Sequence, residues 1–484
     1  MKRWVGLGLC AGLLLSLSLG CASSNKKAKE AQAERRKRTV ILTSRDDVRV
    51  GKEGAREVAS QIGTLDDPAL EAYVSSIGQK LVKALPVRSF AYHFAIVDQM
   101  EPNAFALPGG YIFVSRGLLA LANNEDELAC VLGHEIIHAA RRHAAKQQVV
   151  ESYHRRLSLP SSRARTMAAY SRDMEREADE LGQRLAAAAG YDPMGMATFM
   201  RRLDQRERIL IGAPRNPTFY DSHPGTRERA TANAVRSREL RWTRDPSFGD
   251  PRKRLLDHTD GMIIGDRPET GVFDGQLFLH PVLDFEIKFP RGWQVQNSQS
   301  AVGARSPRQD AVVFLTSDMP EGDLEELAED FLLELQDETP VTVTERKRVR
   351  LGAIPALRYA ISGGRGGRRF NGYITFFPYA KSTWRLVGIQ PLAAGNHYLP
   401  QILLTARTFR PLTAAHRRLI HADHMRVALT RSGEDLVRLG ARTGNEWDPT
   451  MTGLINGLLG DEVFEGGELM KILRREAAAA LPTD

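Results

Sequence analysis

A chain that carries His134-Glu135-Ile136-Ile137-His138 inside an apolar, helix-forming run has little freedom in how it uses that run. Four residues apart on an α-helix, the imidazoles of His134 and His138 leave one face and can share one metal ion, with Glu135 one step round the helix. Leu128, Val131, Leu132, Ile136 and Ile137 leave few polar positions, so the helix is expected to be buried, and buried imidazoles and carboxylates need partners. One zinc ion per chain supplies them, and it lowers the pKa of a bound water to about 7, which makes Glu135 the natural proton acceptor. With 12 His in 484 residues, chance yields roughly 0.02 such words, so the pattern is informative.

Before this helix the chain opens on Met1-Lys2-Arg3 and an uncharged stretch to Gly20, the basic and apolar regions of a secretory signal, too short for a membrane span. Leu17-Ser18-Leu19-Gly20-Cys21 resembles a bacterial lipobox with Ser18 in place of the usual leucine, so residues 1–20 are expected to leave and Cys21 to carry lipid. Of three cysteines, that accounts for Cys10 and Cys21; Cys130 is then alone, excludes an intramolecular disulfide, and is expected to be a small core residue. Residues 21–38 read as a lipidated basic tether: 25–38 hold seven basic and two acidic residues, and without them and the signal the net charge of +8 falls to about +1. No basic face with interleaved aromatics follows, so no nucleic acid partner is expected.

From 39 to about 262 the chain reads as one domain, with a short β-rich start at 40–42, a helix over 70–85 and a strand over 90–97. Residues 103–115 form an apolar stretch broken by Pro108-Gly109-Gly110. Pro108 cannot donate to a sheet ladder, so the pattern suits either an ordinary hairpin or a sheet edge to which a peptide could add as an extra strand. Arg141-Arg142-His143 is expected to continue the metal helix, placing His143 off the ligand face as a surface residue or a neighbour of the ligands rather than a ligand itself. Residues 158–165 read as a loop or lid, and another helix carries Glu175-Arg176-Glu177-Ala178-Asp179.

The pairing of His134-Glu135-x-x-His138 with Glu175-x-x-Ala178-Asp179 resembles the gluzincin zinc metallopeptidases of the HtpX and CAAX-prenyl-protease type, nearest to soluble BepA-like periplasmic lipoprotein proteases. Two more motifs carry the likeness, Asn103-Ala104-Phe105-Ala106-Leu107-Pro108-Gly109-Gly110 and His223-Pro224-Gly225-Thr226-Arg227-Glu228-Arg229, over roughly residues 45–240. The resemblance implies Glu175, rather than Glu177, as third zinc ligand beside His134 and His138. It also implies Glu135 as catalytic base and Asn103, Ala104 and Phe105 as the substrate edge. Asp179, one turn beyond Glu175, is placed to accept the outer N–H of a ligating histidine. His223 has three readings: oxyanion donor beside Arg229, closing fourth ligand, or loop residue.

A break at 250–254 precedes alternating strands over 283–289, 311–315, 349–361, 370–377 and 383–389, and an amphipathic helix over 324–335. That order predicts a separate α+β domain over 268–413 with an antiparallel sheet, resembling PsbP-like units, its 362–367 glycines a hairpin turn. Residues 417–474 faintly resemble a LysM-type βααβ module. The fold class expected is therefore α+β: a mainly helical zincin domain with a small edge sheet, then these two units.

Taken together, these readings predict a lipid-anchored zinc endopeptidase of the bacterial cell envelope, in the periplasm and tethered to the outer membrane. Its expected substrates are unfolded or misassembled envelope proteins, and its expected partners include the outer-membrane assembly machinery. Two rivals stand beside it: an envelope assembly chaperone with a mostly closed metal site, and a zinc peptidoglycan hydrolase favoured by the LysM-like tail alone.

Overall fold

A computed structural model of the chain describes residues 43–147, 160–209, 219, 223, 226–298, 301–364, 369–458, 460 and 462–477. The signal, Cys21, the tether and the strand expected at 40–42 lie outside the described residues. The chain divides into two compact units, one comprising 28–265 with 423–475, the other built around 266–422.

In the first unit, α1 (Ser44–Gln61) starts at a capping box in which the Thr43 side chain accepts from Asp46 and Asp46 answers the Thr43 backbone. Helix α2 (Pro68–Lys83) starts at Asp67 with proline in its first turn and buries Tyr73, Val74, Ile77 and Leu81 at helical spacing. Strands β1 (His93–Val97), β2 (Ala104–Leu107) and β3 (Tyr111–Ser115) form a sheet of order β1-β3-β2, β1 parallel and β2 antiparallel to β3. Pro108–Gly110 links β2 to β3 as a single tight turn, where Gly109 takes φ 76° and a Cβ would stand 2.6 Å from the Val48 Cα of α1. β2 is an edge: among the described residues only β3 pairs with it.

After a short helix α3 (Arg116–Leu121), the central helix α4 (Glu125–Ala140) begins where the Asn124 side chain accepts from Glu127 N–H. Its first turn holds three buried acids, each matched by a distant arginine: Glu125 by Arg254 at 2.8 Å, Asp126 by Arg244 at 2.6 Å, and Glu127 by Arg202 at 2.6 and 3.0 Å. Carboxylates at a helix N-terminus favour the dipole, and the arginines offset the desolvation of burying them. Helix α5 (Pro160–Ala188) crosses α4 where Gly133 faces Gly182; a Cβ on either would lie 2.9 Å from the other helix's backbone. Of the loop or lid expected at 158–165, residues 160–165 are instead helical, as part of α5, while 158 and 159 lie outside the described residues.

Helices α6 (Gly195–Ile209), α7 (Thr226–Glu239) and α8 (Pro251–Thr259) complete the helical layer, and strand β4 (Ile263–Ile264) ends it. Around α4 the core is continuous, running from Leu70 and Ile77 through Leu128, Leu132 and Ile136 to Phe199 and Leu255. Cys130 sits in it, 1% exposed, and burial raises its thiol pKa well above the ordinary value.

The second unit is antiparallel. In chain order it has β5 (Val272–Asp274), β6 (Leu277–His280), β7 (Phe285–Lys288), β8 (Gln294–Asn297), β9 (Val302–Arg305), β10 (Val312–Met319), helix α9 (Leu324–Glu338), β11 (Val341–Leu351), β12 (Ile354–Gly363), β13 (Phe370–Tyr379), β14 (Ser382–Pro391), helix α10 (Leu399–Arg407) and β15 (Arg410–Pro411). Seven strands form one sheet, β11-β12-β13-β14-β10-β9-β8, and four a smaller one, β15-β7-β6-β5. The α9 residues Ala328 and Leu332 pack with Leu357, Ile374 and Phe376, while Ile402 and Ala406 of α10 join Phe377, Trp384 and Leu386 in a separate cluster. The strand expected over 349–361 is in fact a hairpin: Gly352, at φ 60°, turns the chain, and Leu351 pairs with Ile354.

The tail returns to the first unit rather than standing apart. Strand β16 (His421–Leu429) pairs with β4, helices α11 (Leu436–Thr443) and α12 (Pro449–Asn456) follow, and β17 (Leu469–Ala477) lies beside β16. Lys471, fully buried, donates to the carbonyls of Ala120 and Ala122 at 2.8 and 2.9 Å, capping the buried C-terminal end of α3. The β-α-α-β order expected of residues 417–474 is present, but as part of the helical unit.

Candidate metal centre

Helix α4 brings His134 and His138 to one face, α5 brings Glu175, and the segment before α7 brings His223. Among the described residues, ligand atoms of these four lie within 4.8 Å of one another. His134 Nε2 stands 3.0 Å from His138 Nε2, 3.4 Å from Glu175 Oε2 and 3.2 Å from His223 Nδ1; His138 Nε2 is 3.4 Å from Glu175 Oε1. Ligands roughly 2.0–2.1 Å from one tetrahedral zinc stand about 3.3 Å apart, so the residues present fit the ion that the motif implies. Glu135 adds to the fit. Its Oε1 is buried without a hydrogen-bond partner among the described residues, 3.4 Å from His223 Nε2, and burial raises its pKa, as a base facing a water would have it.

Electrostatics sort the group into distinct roles. Burial opposes charge on His134, but Asp179 and Glu175 win and raise its pKa to about 9. Burial and then His134 itself push His138 well below its ordinary value. Burial works against charge on Glu175 too, yet His223 and His134 hold it ionised. Asp179 approaches His134 Nδ1 at 3.0 Å and is held in turn by Arg229, whose Nε and Nη2 donate at 2.8 and 2.7 Å. Against its burial, that fork lowers the Asp179 pKa to about 2. Arg229 also lies 2.8 Å from Glu175 Oε2 and donates to the His223 carbonyl. Arg229, expected beside an oxyanion-donating His223, thus has its guanidinium against two carboxylates and a carbonyl.

His223 owes its place to Phe219, which is fully buried, accepts its backbone N–H at 2.9 Å and stacks on its ring at 4.2 Å. Its Nδ1 points among the ligand atoms and also meets Glu175 Oε2 at 2.9 Å. Pro224 and Gly225 of the same motif lie outside the described residues.

A cleft of about 220 Å³ opens beside Glu135 and His138, lined by Phe105 and Leu107 of the β2 edge, by Pro108 of the turn after it and by Met174 of α5. Of the three expected substrate-edge residues, Phe105 lines it, stacked on Phe113 at 5.0 Å. Ala104 is fully buried and Asn103 is tied by its N–H to Ser115 Oγ. Leu107 and Pro108 line the cleft as well.

The metal helix does not run on through Arg141-Arg142-His143 as expected. It stops at Ala140, Arg142 takes φ 56°, and Arg142 Nε binds the buried Asp47 at 2.5 Å. The reversal carries His143 back against the site, where it touches His138 without joining the ligand cluster.

The sequence profile of peptidase family M48 matches residues 68–237, which hold α2 through most of α7 and every residue of the cluster. The putative beta-barrel assembly-enhancing protease of Vibrio cholerae is 30% identical over 224 residues, covering 41% of this chain and 45% of that protein; the beta-barrel assembly-enhancing protease of Escherichia coli K12 is 26% identical over 226 residues, with the same coverage. The mitochondrial metalloendopeptidase OMA1 of Schizosaccharomyces pombe is 29% identical over 198 residues, 37% of this chain and 58% of that one. The chain thus spans about half the length of the curated relatives it matches. Among solved structures, cyanobacterial PsbP from Synechocystis sp. PCC 6803 aligns with 31% of this chain and 98% of its own at TM-score 0.25 and 10% identity. With the profile, the relatives and the His134, His138, Glu175 cluster in agreement, residues 68–237 are a peptidase family M48 domain.

Proposed function

We propose that the chain is a zinc-dependent endopeptidase of the bacterial cell envelope that hydrolyses unfolded or misassembled envelope proteins. The observation that carries the reading is the convergence of His134 Nε2, His138 Nε2 and Glu175 Oε1/Oε2 at 3.0–3.4 Å with the buried Glu135 beside them. When bound there, zinc supplies a water acidic enough to deprotonate near neutral pH and a Lewis acid for a peptide carbonyl. Glu135 takes the water's proton and returns it to the leaving amine. Arg229 fixes Asp179, and Asp179 fixes His134, so the ligand face of α4 is held before substrate arrives. The free edge of β2 offers backbone groups to an extended peptide, antiparallel to its strand, while Phe105, Leu107 and Pro108 meet its side chains. An edge of that kind reads main chain first, which suits unfolded segments over folded ones.

The names of the relatives, beta-barrel assembly-enhancing proteases, support placing this activity beside outer-membrane assembly, and lipid on Cys21 would keep the chain at the membrane. A second reading, an assembly factor with a closed metal site, is supported by His223 Nδ1, which stands where a fourth ligand would. Casein degradation by the purified chain, stopped by a chelator and absent in Glu135→Gln, tests the first reading; client capture that survives Glu135→Gln without any casein degradation supports the second.

A further inference from the structure

The outer nitrogens of the two ligating histidines meet different partners. His134 Nδ1 faces the Asp179 carboxylate, but His138 Nδ1 lies 3.1 Å from Nδ1 of another histidine, His143, whose ring stands perpendicular to it with centroids 4.8 Å apart. On a continuing helix a residue five places on would sit about 140° round the axis, out of reach. The left-handed turn at Arg142, pinned to Asp47, makes the contact possible. His143 is 3% exposed, and its Nε2 is 3.2 Å from Glu177 Oε2; the other oxygen of Glu177 lies 3.1 Å from Arg141 Nε.

Proton placement along this row is forced once His138 Nε2 gives its lone pair to a metal. His138 Nδ1 must then carry the hydrogen and donate, His143 Nδ1 must accept, and the remaining hydrogen of a neutral His143 sits on Nε2, where it donates to Glu177. No donor or acceptor in the row is left facing its own kind. We propose that His143, backed by Glu177, is a positioning residue that fixes the tautomer and ring orientation of His138 for metal binding. The inference rests on the zinc reading of the site. It makes the two histidine ligands unequal: His134 is held by a charged carboxylate locked to Arg229, His138 by a neutral imidazole that passes the interaction to a half-exposed carboxylate.

The test is zinc affinity of the purified full-length chain, measured by competition with a chelating dye, with thermal melting of the metal-free protein as the control for folding. His143→Leu, which cannot accept from His138, is expected to weaken zinc by about 10–100-fold while the metal-free melting temperature holds. His143→Gln, whose side-chain oxygen can accept the same hydrogen bond, is expected to stay within about threefold of wild type, and cobalt substituted for zinc should give a wild-type visible spectrum in this variant but not in His143→Leu. Zinc affinity of His143→Leu within about twofold of wild type overturns the proposal. If that variant does not fold, Glu177→Ala decides: at least about threefold weaker zinc supports the relay and unchanged affinity overturns it. A wild-type chain that takes up no zinc overturns the metal reading itself, a result distinct from any difference between variants.

Discussion

Replacing Gly182 by alanine tests how the two ligand helices are held together. A Cβ at this position would stand 2.9 Å from His134 N, 3.0 Å from His134 Cα and 3.1 Å from Gly133 C, all backbone atoms that no rotamer change can move aside. Ordinary contact begins near 3.4 Å, so α4 and α5 must separate by at least about 0.5 Å at the residue that bears the first ligand. Overpacking of this kind costs about 1–3 kcal/mol, and alanine recovers about 1 kcal/mol of helix propensity, so the loss of global stability is only about 0–2 kcal/mol. The metal site is the more sensitive gauge, because ligand distances tolerate only about 0.2 Å. Gly182→Ala should therefore bind zinc at least about tenfold more weakly and hydrolyse peptide about 10²-fold more slowly, read by chelator competition and a fluorogenic peptide. Gly440→Ala, in a helix with nothing within 4 Å of the new methyl, is the control and should change neither. Zinc affinity and turnover within twofold of wild type in Gly182→Ala would refute the interlock.

His134→Ala, His138→Ala and Glu175→Gln should each lower zinc content in metal analysis of the purified chain, and full zinc in all three would sink the site. Arg202→Met leaves the Glu127 carboxylate buried without its fork and should cost about 3–5 kcal/mol in urea unfolding; a loss under about 1 kcal/mol would show that the remaining donors, Asn123 N–H and the Thr198 side chain, satisfy it. His223→Ala should raise basal hydrolysis if His223 closes the site as a fourth ligand and lower it by about 10²-fold if it donates to the oxyanion, while a change under about twofold defeats both. Cys21→Ser should release the chain from membranes, and unchanged membrane association would place the anchor elsewhere.

What could be read from the sequence was what local spacing dictates. A spacing of four from His134 to His138, and of four from Glu175 to Asp179, fixes a face on a helix wherever the helix goes, so these residues converge in the structure as the motif arithmetic requires. What could not be read depends on where helices end and on how they cross. The same arithmetic rightly kept His143 from the ligands but ran the helix on through Arg142; the ion pair of Arg142 with Asp47, 95 residues earlier, lies outside any local window. Gly133, between Leu132 and His134, reads as an unremarkable helical glycine until Gly182 faces it across the crossing. Arg229 shows the same limit from the other side. Its motif marked it as part of the site, but not that two carboxylates on α5, Glu175 and Asp179, would take up its guanidinium behind His134. His223 is the remaining case: its position among the ligand atoms follows from Phe219, and since one ring cannot both fill the fourth corner through Nδ1 and leave that corner to water, its two active roles exclude each other in any one conformation.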